Sequence, residues 1–385
     1  MFEKISEALN YIENKRIKRT LEQFKETLVK YGFHTGYDNV IHITGTNGKG
    51  STAKFLQLIL SNHGFKTGTF TSPYLVKHND RMCIDGEMID DLTLLKIIND
   101  LLPVIEAEGL SMFEIDLLIC LKWFEDKCLD FLIFEAGIGG LHDKTNIFDS
   151  RISAITNVSF DHQDMLGGSL EDICEQKMGI IRPNSTFLST ETNSGLIAMM
   201  EQRCLDLATK FIQVDRDIIK IEGQDIGVEF DPEYQRANCA LAVSIANELI
   251  RLDLNVSLDA IARFSLPLHF ERIDKFILDG SHNPAGIEAL LKSVAALKNV
   301  AFVFSALDDK DNAQMLDLLN TYPVYVSSFP DFRQKQNKYE NFTNTLSKIY
   351  QKYDTIILTG SIHFVSYARI YLGEKFHDII NEGEN

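Results

Sequence analysis

Short apolar runs and longer, helically spaced apolar runs take turns along this chain. Val40 to Thr44 is a β-branched run followed by glycine, and Phe55, Leu56, Ile59 and Leu60 then recur at helical spacing within Thr52 to Leu60. Asp130 to Phe134 is apolar and ends in Glu135-Ala136-Gly137, and Ile152 to Val158 is another buried-type strand that ends in polar residues. Strand, glycine or polar turn, then helix: that order predicts an α/β fold with a mostly parallel sheet covered on both faces. In such sheets ligands gather at the carboxyl ends of strands. A further series starts at Phe276 to Leu278, runs into Asp279-Gly280-Ser281-His282-Asn283-Pro284 and predicts a helix from about Ala285. Val300 to Phe304, Val324 to Val326 and Thr355 to Leu358 read as later strands, and Arg333 to Asn341 as an exposed loop. The expected organisation is a larger sheet domain over 1–266 and a smaller Rossmann-like α/β domain over 267–385. The linker is expected around Phe264 to Leu268, where Pro267 follows a long helical stretch that starts near Ala237.

A length of 385 residues favours two domains, and 45% apolar with 24% charged residues is an ordinary globular balance. Charge changes the picture more. A formal net charge of −17 repels a phosphate backbone or an anionic membrane, so neither nucleic acid nor membrane is an expected partner. An anionic substrate must then be held by local backbone amides and a few cations. Met1-Phe2-Glu3-Lys4 is not a secretory start, and no apolar run is long enough to span a bilayer. The six cysteines are scattered with no Cys-x-x-Cys pair, as expected of reduced core residues in the cytoplasm rather than a zinc site.

The strongest local signal is Thr44-Gly45-Thr46-Asn47-Gly48-Lys49-Gly50-Ser51-Thr52, which follows a strand and opens a helix. Glycines let the backbone curl so that several N–H groups face one anion, and the helix N-terminus adds a favourable field. Thr46 to Thr52 are thus candidate nucleotide contacts. Lys49 would reach the β- and γ-phosphates, and a hydroxyl of Ser51 or Thr52 would lie near the phosphates and their Mg²⁺. The spacing departs from the common Walker form, with Gly50 between Lys49 and Ser51. The loop alone signals a nucleoside triphosphate. It does not separate a ligase from a switch, a kinase or a motor.

The loop resembles that of the Mur ligase superfamily, and within it the chain resembles the folylpolyglutamate/dihydrofolate synthases. The segments that carry this run in the family's order to Gly360-Ser361: Thr71-Ser72-Pro73-Tyr74-Leu75-Val76, Asn79-Asp80-Arg81, Ser111-Met112-Phe113-Glu114, Phe134-Glu135-Ala136-Gly137-Ile138-Gly139-Gly140 with Leu141-His142-Asp143-Lys144-Thr145-Asn146, Asn157 to His162, Glu175 to Pro183, Arg236-Ala237-Asn238, Asp279 to Pro284 and Ser305 to Asp311. The resemblance implies that Ser72 and Glu135 hold one Mg²⁺ and that His162, with a carbamylated Lys177, supports a second. Carbamylation turns a cation into an oxygen-donor anion, which a hard cation accepts. It also implies that Asn238, Asp279 and His282 contact ATP, that Phe113, Glu114, His142, Asp143 and Lys144 line the pteroate site, and that Lys310 lies near glutamate or nucleotide. Other readings of the same residues are a structural histidine at 162, a helix N-cap at Asn238, a core position at Phe113 and a structural arginine at 81.

Relatives carry arginine at Leu141, and Gly-Arg where Leu268-His269 stands. His269 or Arg272 is left as the replacement for a phosphate-contacting arginine, which an imidazole replaces poorly. The implied activity is ATP-dependent ligation of L-glutamate to dihydropteroate or to a (tetrahydro)folyl(poly)glutamate through an acyl phosphate, by a monomer whose partners are these small molecules. The alternatives are a peptidoglycan-type Mur ligase and a P-loop switch. Against the first, the phosphate loop begins at Thr44, too early for a UDP-binding domain to precede it.

Overall fold

A computed structural model of the chain describes residues 1–307, 312–331 and 339–382, with side chains to 373. Lys310, and residues 333–338 of the expected loop, lie outside the described residues. The chain divides into two compact units, Met1–Glu229 with Gln235–Phe264, and Phe230–Tyr234 with Ser265–Asn385.

In the first unit β1 (Val40–Thr44) buries all its side chains, as a strand covered on both faces must. β2 (Thr67–Phe70), β3 (Met82–Ile84), β4 (Glu87–Met88), β5 (Phe131–Glu135), β6 (Ile152–Ile155), β7 (Thr186–Ser189) and β8 (Lys210–Gln213) join it in the order β4-β3-β2-β5-β1-β6-β7-β8. β3 and β4 run antiparallel at one edge and the other pairings are parallel. The chain crosses from one side of β1 to the other, so the crevice at the carboxyl ends of β1, β5 and β6 is a topological switch point. Register sets those ends level, with Ile43 opposite both Glu135 and Ala154. A two-stranded hairpin, β9 (Ile218–Ile221) and β10 (Gln224–Gly227), follows.

Helices cover both faces. α1 (Ile5–Glu13), α2 (Leu21–Lys30), α3 (Lys49–Asn62), α4 (Asp91–Glu108), α5 (Met112–Phe124), α6 (Gln163–Leu166), α7 (Leu170–Met178), α8 (Ser194–Asp206), α9 (Gln235–Leu249) and α10 (Leu254–Ala262) follow in chain order. α1, α4 and α5 close a core with Phe24, Phe70, Phe134 and Phe148. α7 and α8 close another with Ile155 and Phe187. Capping explains several helix starts: Thr20, Ser111 and Ser169 each complete a reciprocal capping box. The helix expected from Thr52 begins at Lys49, because Gly48 turns the chain in the left-handed region. The strand expected to reach Val158 stops at Ile155: Thr156 still donates to Thr44 O, and Asn157 and Ser159 bond the phosphate loop instead of continuing the ladder. The long helical stretch from Ala237 is two helices, split after Leu249 and restarted by the Asp253 cap.

The second unit's described strands, β11 (His269–Ile273), β12 (Phe276–Asp279), β13 (Val300–Phe304), β14 (Val324–Ser328), β15 (Glu340–Asn341) and β16 (Thr355–Thr359), take the order β11-β12-β16-β13-β14-β15. β11 is antiparallel to β12 and the rest are parallel. α11 (Pro284–Val294) leaves β12 through an Asn283 cap with proline at its first turn.

A largely buried charge chain ties α1 to the turn before β3 and to α5. His78 Nδ1 meets Glu13 Oε1 at 3.1 Å, His78 Nε2 meets Asp116 Oδ1 at 2.8 Å, and Arg81 Nη1 donates to Asp116 Oδ2. Burial pulls the imidazole down, but the Asp116 carboxylate and the Glu13 hydrogen bond outweigh it and hold His78 at about 9. The folded value lies above the unfolded one of about 6.5. Stabilisation is therefore complete below about pH 6.5 and is lost as pH rises through about 9, with an upper bound of about 3 kcal/mol. Urea denaturation at pH 6.5 and 9.5 checks this. Wild type is expected to weaken over that window and His78→Gln to change little. Equal slopes for the two proteins would remove the linkage.

Candidate active site

The phosphate loop is braced from β6. Asn157 O accepts from Thr46 N at 2.9 Å, Asn157 Oδ1 from Asn47 N at 3.1 Å, and Thr156 Oγ1 donates to Asn47 O at 2.6 Å. Thr46 Oγ1 donates to Ser159 O at 3.1 Å and accepts from Ser159 N at 2.9 Å. Lys49 Nζ donates to Gly45 O and Thr46 O at 3.1 and 3.3 Å, which holds the ammonium inside the curl of the loop. Gly48 has φ +85°, and a Cβ there would lie 2.1 Å from Asn238 Oδ1, so glycine is required on both grounds. The hydroxyls divide. Ser51 Oγ accepts from Gln235 Nε2 at 3.1 Å, whereas Thr52 Oγ1 is buried without a partner among the described residues.

Glu135 ends β5 beside that loop. Ser72 N donates to its Oε2 at 3.1 Å, and a Cβ on Gly50 would lie 3.4 Å from the same oxygen. The carboxylate therefore lies at the first turn of α3. Burial drives its pKa up to about 7 against the fields of Lys49 and Arg81 and the Ser72 hydrogen bond. A buried carboxyl poised near neutrality beside backbone amides and a serine fits a hard cation, whose charge would restore the ionised form.

The glycine loop after β5 packs on α7. Gly140 approaches so closely that a Cβ would stand 2.9 Å from both Gln176 O and Lys177 O. Lys177 is 2% exposed, and burial together with the Lys49 charge lowers its amine to about 7, with Asp161 and Asp143 opposing. Lys49 thus acts on both Glu135 and Lys177. His162 precedes α6 in the left-handed region, with Nε2 3.8 Å from Asp161 Oδ1. Among the described residues no three His, Cys, Asp or Glu side chains converge on one point. An imidazole and an amine alone do not suit a hard cation. Carbamylated Lys177 would.

The expected pteroate contacts separate into two groups. Asp143 Oδ2 accepts from Gly137 N and Ile138 N at 2.9 and 3.0 Å, and its Oδ1 accepts from Thr145 N at 2.9 Å and from Thr145 Oγ1. His42 Nε2 meets Thr145 Oγ1 at 2.8 Å. Burial lowers His42 to about 3, and because the Thr145 hydroxyl already donates to Asp143, the neutral ring donates to it through Nε2. Glu114 is fully buried between Arg19 at 3.5 Å, Lys144 at 3.3 Å and the Ser111 cap, and Lys144 Nζ also donates to Arg19 O and Thr20 O at 2.6 and 2.5 Å. The charged groups of Glu114, Asp143 and Lys144 are thus hydrogen-bonded or ion-paired within the protein. Phe113 lies at the loop, 3.2 Å from a Cβ placed on Gly137, with the Arg81 guanidinium 5.7 Å from its ring centroid. His142 is exposed. Asn238 sits inside α9, so it is not that helix's N-cap, and its Nδ2 donates to Gln235 Oε1 at 2.9 Å.

In the second unit Asp279 Oδ1 accepts from Ser281 N and Oγ at 3.0 and 2.6 Å, and Oδ2 from the Tyr234 hydroxyl at 2.7 Å. This carboxylate shapes the strand-to-helix turn that carries His282. His269 Nδ1 meets Pro267 O at 2.8 Å, and burial lowers its pKa. Arg272 Nη2 donates to Asp231 Oδ2 at 3.1 Å, with its guanidinium 5.1 Å from the Phe270 ring centroid. Neither is arranged as a two-pronged anion clamp. Sequence reading missed Gln235, which lies one residue from the flagged segment Arg236-Ala237-Asn238 but has no signature of its own.

Residues 43–210 match the Mur ligase middle domain. The chain is 28% identical to the dihydrofolate synthase/folylpolyglutamate synthase of Bacillus subtilis, covering 96% of this chain and 99% of that one. It is 30% identical to the Haemophilus influenzae protein of the same name, over 80% of this chain and 78% of the relative. A crystal structure of a bifunctional folylpolyglutamate synthase/dihydrofolate synthase with Mn, AMPPNP and L-glutamate bound superposes with a TM-score of 0.83 at 25% identity, covering 96% and 98% of the two chains.

Proposed function

The chain belongs to the dihydrofolate synthase/folylpolyglutamate synthase family, and from that premise we propose how its residues join glutamate to a folate-type carboxylate at the expense of ATP. The observation that carries the reading is the arrangement at the carboxyl ends of β1 and β5. The phosphate loop presents Lys49 there, between a buried carboxyl and a buried amine that both titrate at about 7.

A carboxylate cannot form an amide directly, because oxide is a poor leaving group. Its oxygen attacks the γ-phosphorus of ATP, the bond to the β-bridging oxygen breaks, and ADP leaves an acyl phosphate. The neutral amine of glutamate then adds to the carbonyl carbon, phosphate departs with the C–O bonding pair, and the nitrogen loses a proton. Transfer of this kind needs charge stabilisation more than covalent help. Lys49 and the loop amides receive the phosphate oxygens, the Thr156–Ser159 brace keeps the loop from reorganising, and Phe113 offers a flat wall to the heterocycle. A divalent cation supplies neutralisation of phosphate charge when bound. Ser51, Ser72 and Glu135 would hold one ion, and His162 with carbamylated Lys177 a second. In carbamylation the neutral Lys177 nitrogen bonds the carbon of CO₂ and gives up one proton, with no change in oxidation state. Dihydropteroate and tetrahydrofolyl acceptors are both proposed as substrates, and the cytoplasm as the compartment. Among the described residues no helix is long and apolar enough to cross a membrane.

The test supplies the purified chain with ATP, Mg²⁺, bicarbonate and glutamate, and adds dihydropteroate or tetrahydrofolate in turn. ADP release should need both glutamate and an acceptor, and the product mass should rise by one glutamyl residue. ADP release that ignores both co-substrates would end the proposal.

A further inference from the structure

Gln235, the first residue of α9, is 1% exposed and hydrogen-bonded at both ends of its carboxamide. Its Nε2 donates to Ser51 Oγ at 3.1 Å, and its Oε1 accepts from Asn238 Nδ2 at 2.9 Å. Ser51 and Asn238 are buried as well. Asn238 Oδ1 in turn lies over the phosphate loop at Gly48. We propose that Gln235 is a positioning residue that orients the Ser51 hydroxyl toward a phosphate-bound divalent cation, an inference that rests on the nucleotide-binding reading above.

Hydrogen-bond capacity fixes this role. Ser51 stands in the first turn of α3, where backbone N–H groups lack helical partners and favour an anion. A serine hydroxyl has one donor and two acceptor sites, and its rotamer is threefold. The Gln235 N–H takes one acceptor site and selects a rotamer. One lone pair and the O–H are left, which suit a metal oxygen ligand that also meets a phosphate. The carboxamide cannot turn over alone, since that would set an N–H of Gln235 against the N–H of Asn238. Asn238 therefore locks Gln235, and Gln235 locks Ser51, across 184 residues of sequence. A glutamate at 235 would still accept from Asn238 but has no N–H for Ser51.

Calorimetric titration of ADP into the full chain, with Mg²⁺ and then with EDTA, tests the assignment on wild type, Gln235→Leu and Gln235→Glu. Both variants are expected to raise Kd for ADP with Mg²⁺ by about 5- to 10-fold, the loss of one neutral hydrogen bond. Kd in EDTA and KM for glutamate should stay near wild type, whereas Tm should fall, since each variant leaves a buried polar group without its partner. Should Gln235→Leu not fold, Gln235→Glu carries the same comparison. Wild-type affinity in the variants with Mg²⁺ overturns the assignment. So does an equal loss with and without metal, which marks a merely structural contact. A wild-type chain that binds no ADP overturns the nucleotide reading itself, and this inference with it.

Discussion

Lys49→Met is expected to lower kcat/KM for glutamate ligation by about 10³-fold, the scale at which losing a preorganised charge slows a charge-developing step. Methionine keeps the length of the stem, so the packing loss is small and the missing charge is what the assay reads. Lys49→Arg is expected to recover little, because a planar fork does not fit a curl shaped around a point charge between Gly45 O and Thr46 O. A separate reading comes from its neighbours. Lys49 lowers both the Glu135 carboxyl and the Lys177 amine, so its removal should move both titrations upward from about 7. Steady-state ligation with pH titration of labelled lysine checks both parts. A methionine variant within tenfold of wild type would place the phosphate chemistry elsewhere.

Lys177→Arg is expected to cost a similar factor of about 10³, since it keeps a cation where an oxygen anion is needed. The pH dependence has a defined sign. Burial places the amine at about 7, against an ordinary value of 10.5, so about half is neutral at pH 7 and about a tenth at pH 6. Carbamate formation follows the neutral fraction. Carbamate occupancy should therefore rise with pH through 7 at fixed CO₂, and stripping CO₂ should abolish activity that bicarbonate restores. Carbon-13 NMR with labelled CO₂ measures the adduct directly. No adduct, together with an active arginine variant, would leave Lys177 a buried structural amine.

Much of the frame was legible in the chain. β1 and β13 fall at the residues their apolar runs marked, and the turn residues around Gly48 and Asn283 announced the starts of α3 and α11. What escaped reading is long-range. The pairing of Gln235 with Ser51 and of His78 with Asp116 and Glu13 joins residues whose own neighbourhoods look like ordinary helix or loop. Glu114 and Lys144 escaped for the opposite reason. Their motif context pointed to a ligand and gave no sign of the internal partners they also have, the Ser111 cap and the carbonyls of Arg19 and Thr20. The alternative reading of Asn238 as a helix cap fails because α9 begins three residues earlier, at Gln235.

The span that matches the Mur ligase middle domain opens inside β1 and closes on the first residue of β8. A fragment trimmed to 43–210 would cut through two ladders. It would also leave Lys144 without its carbonyl seat, and His78 without Glu13. The helical preamble before the sheet is thus part of the first unit's own scaffold, and any dissection of this protein should begin ahead of α1.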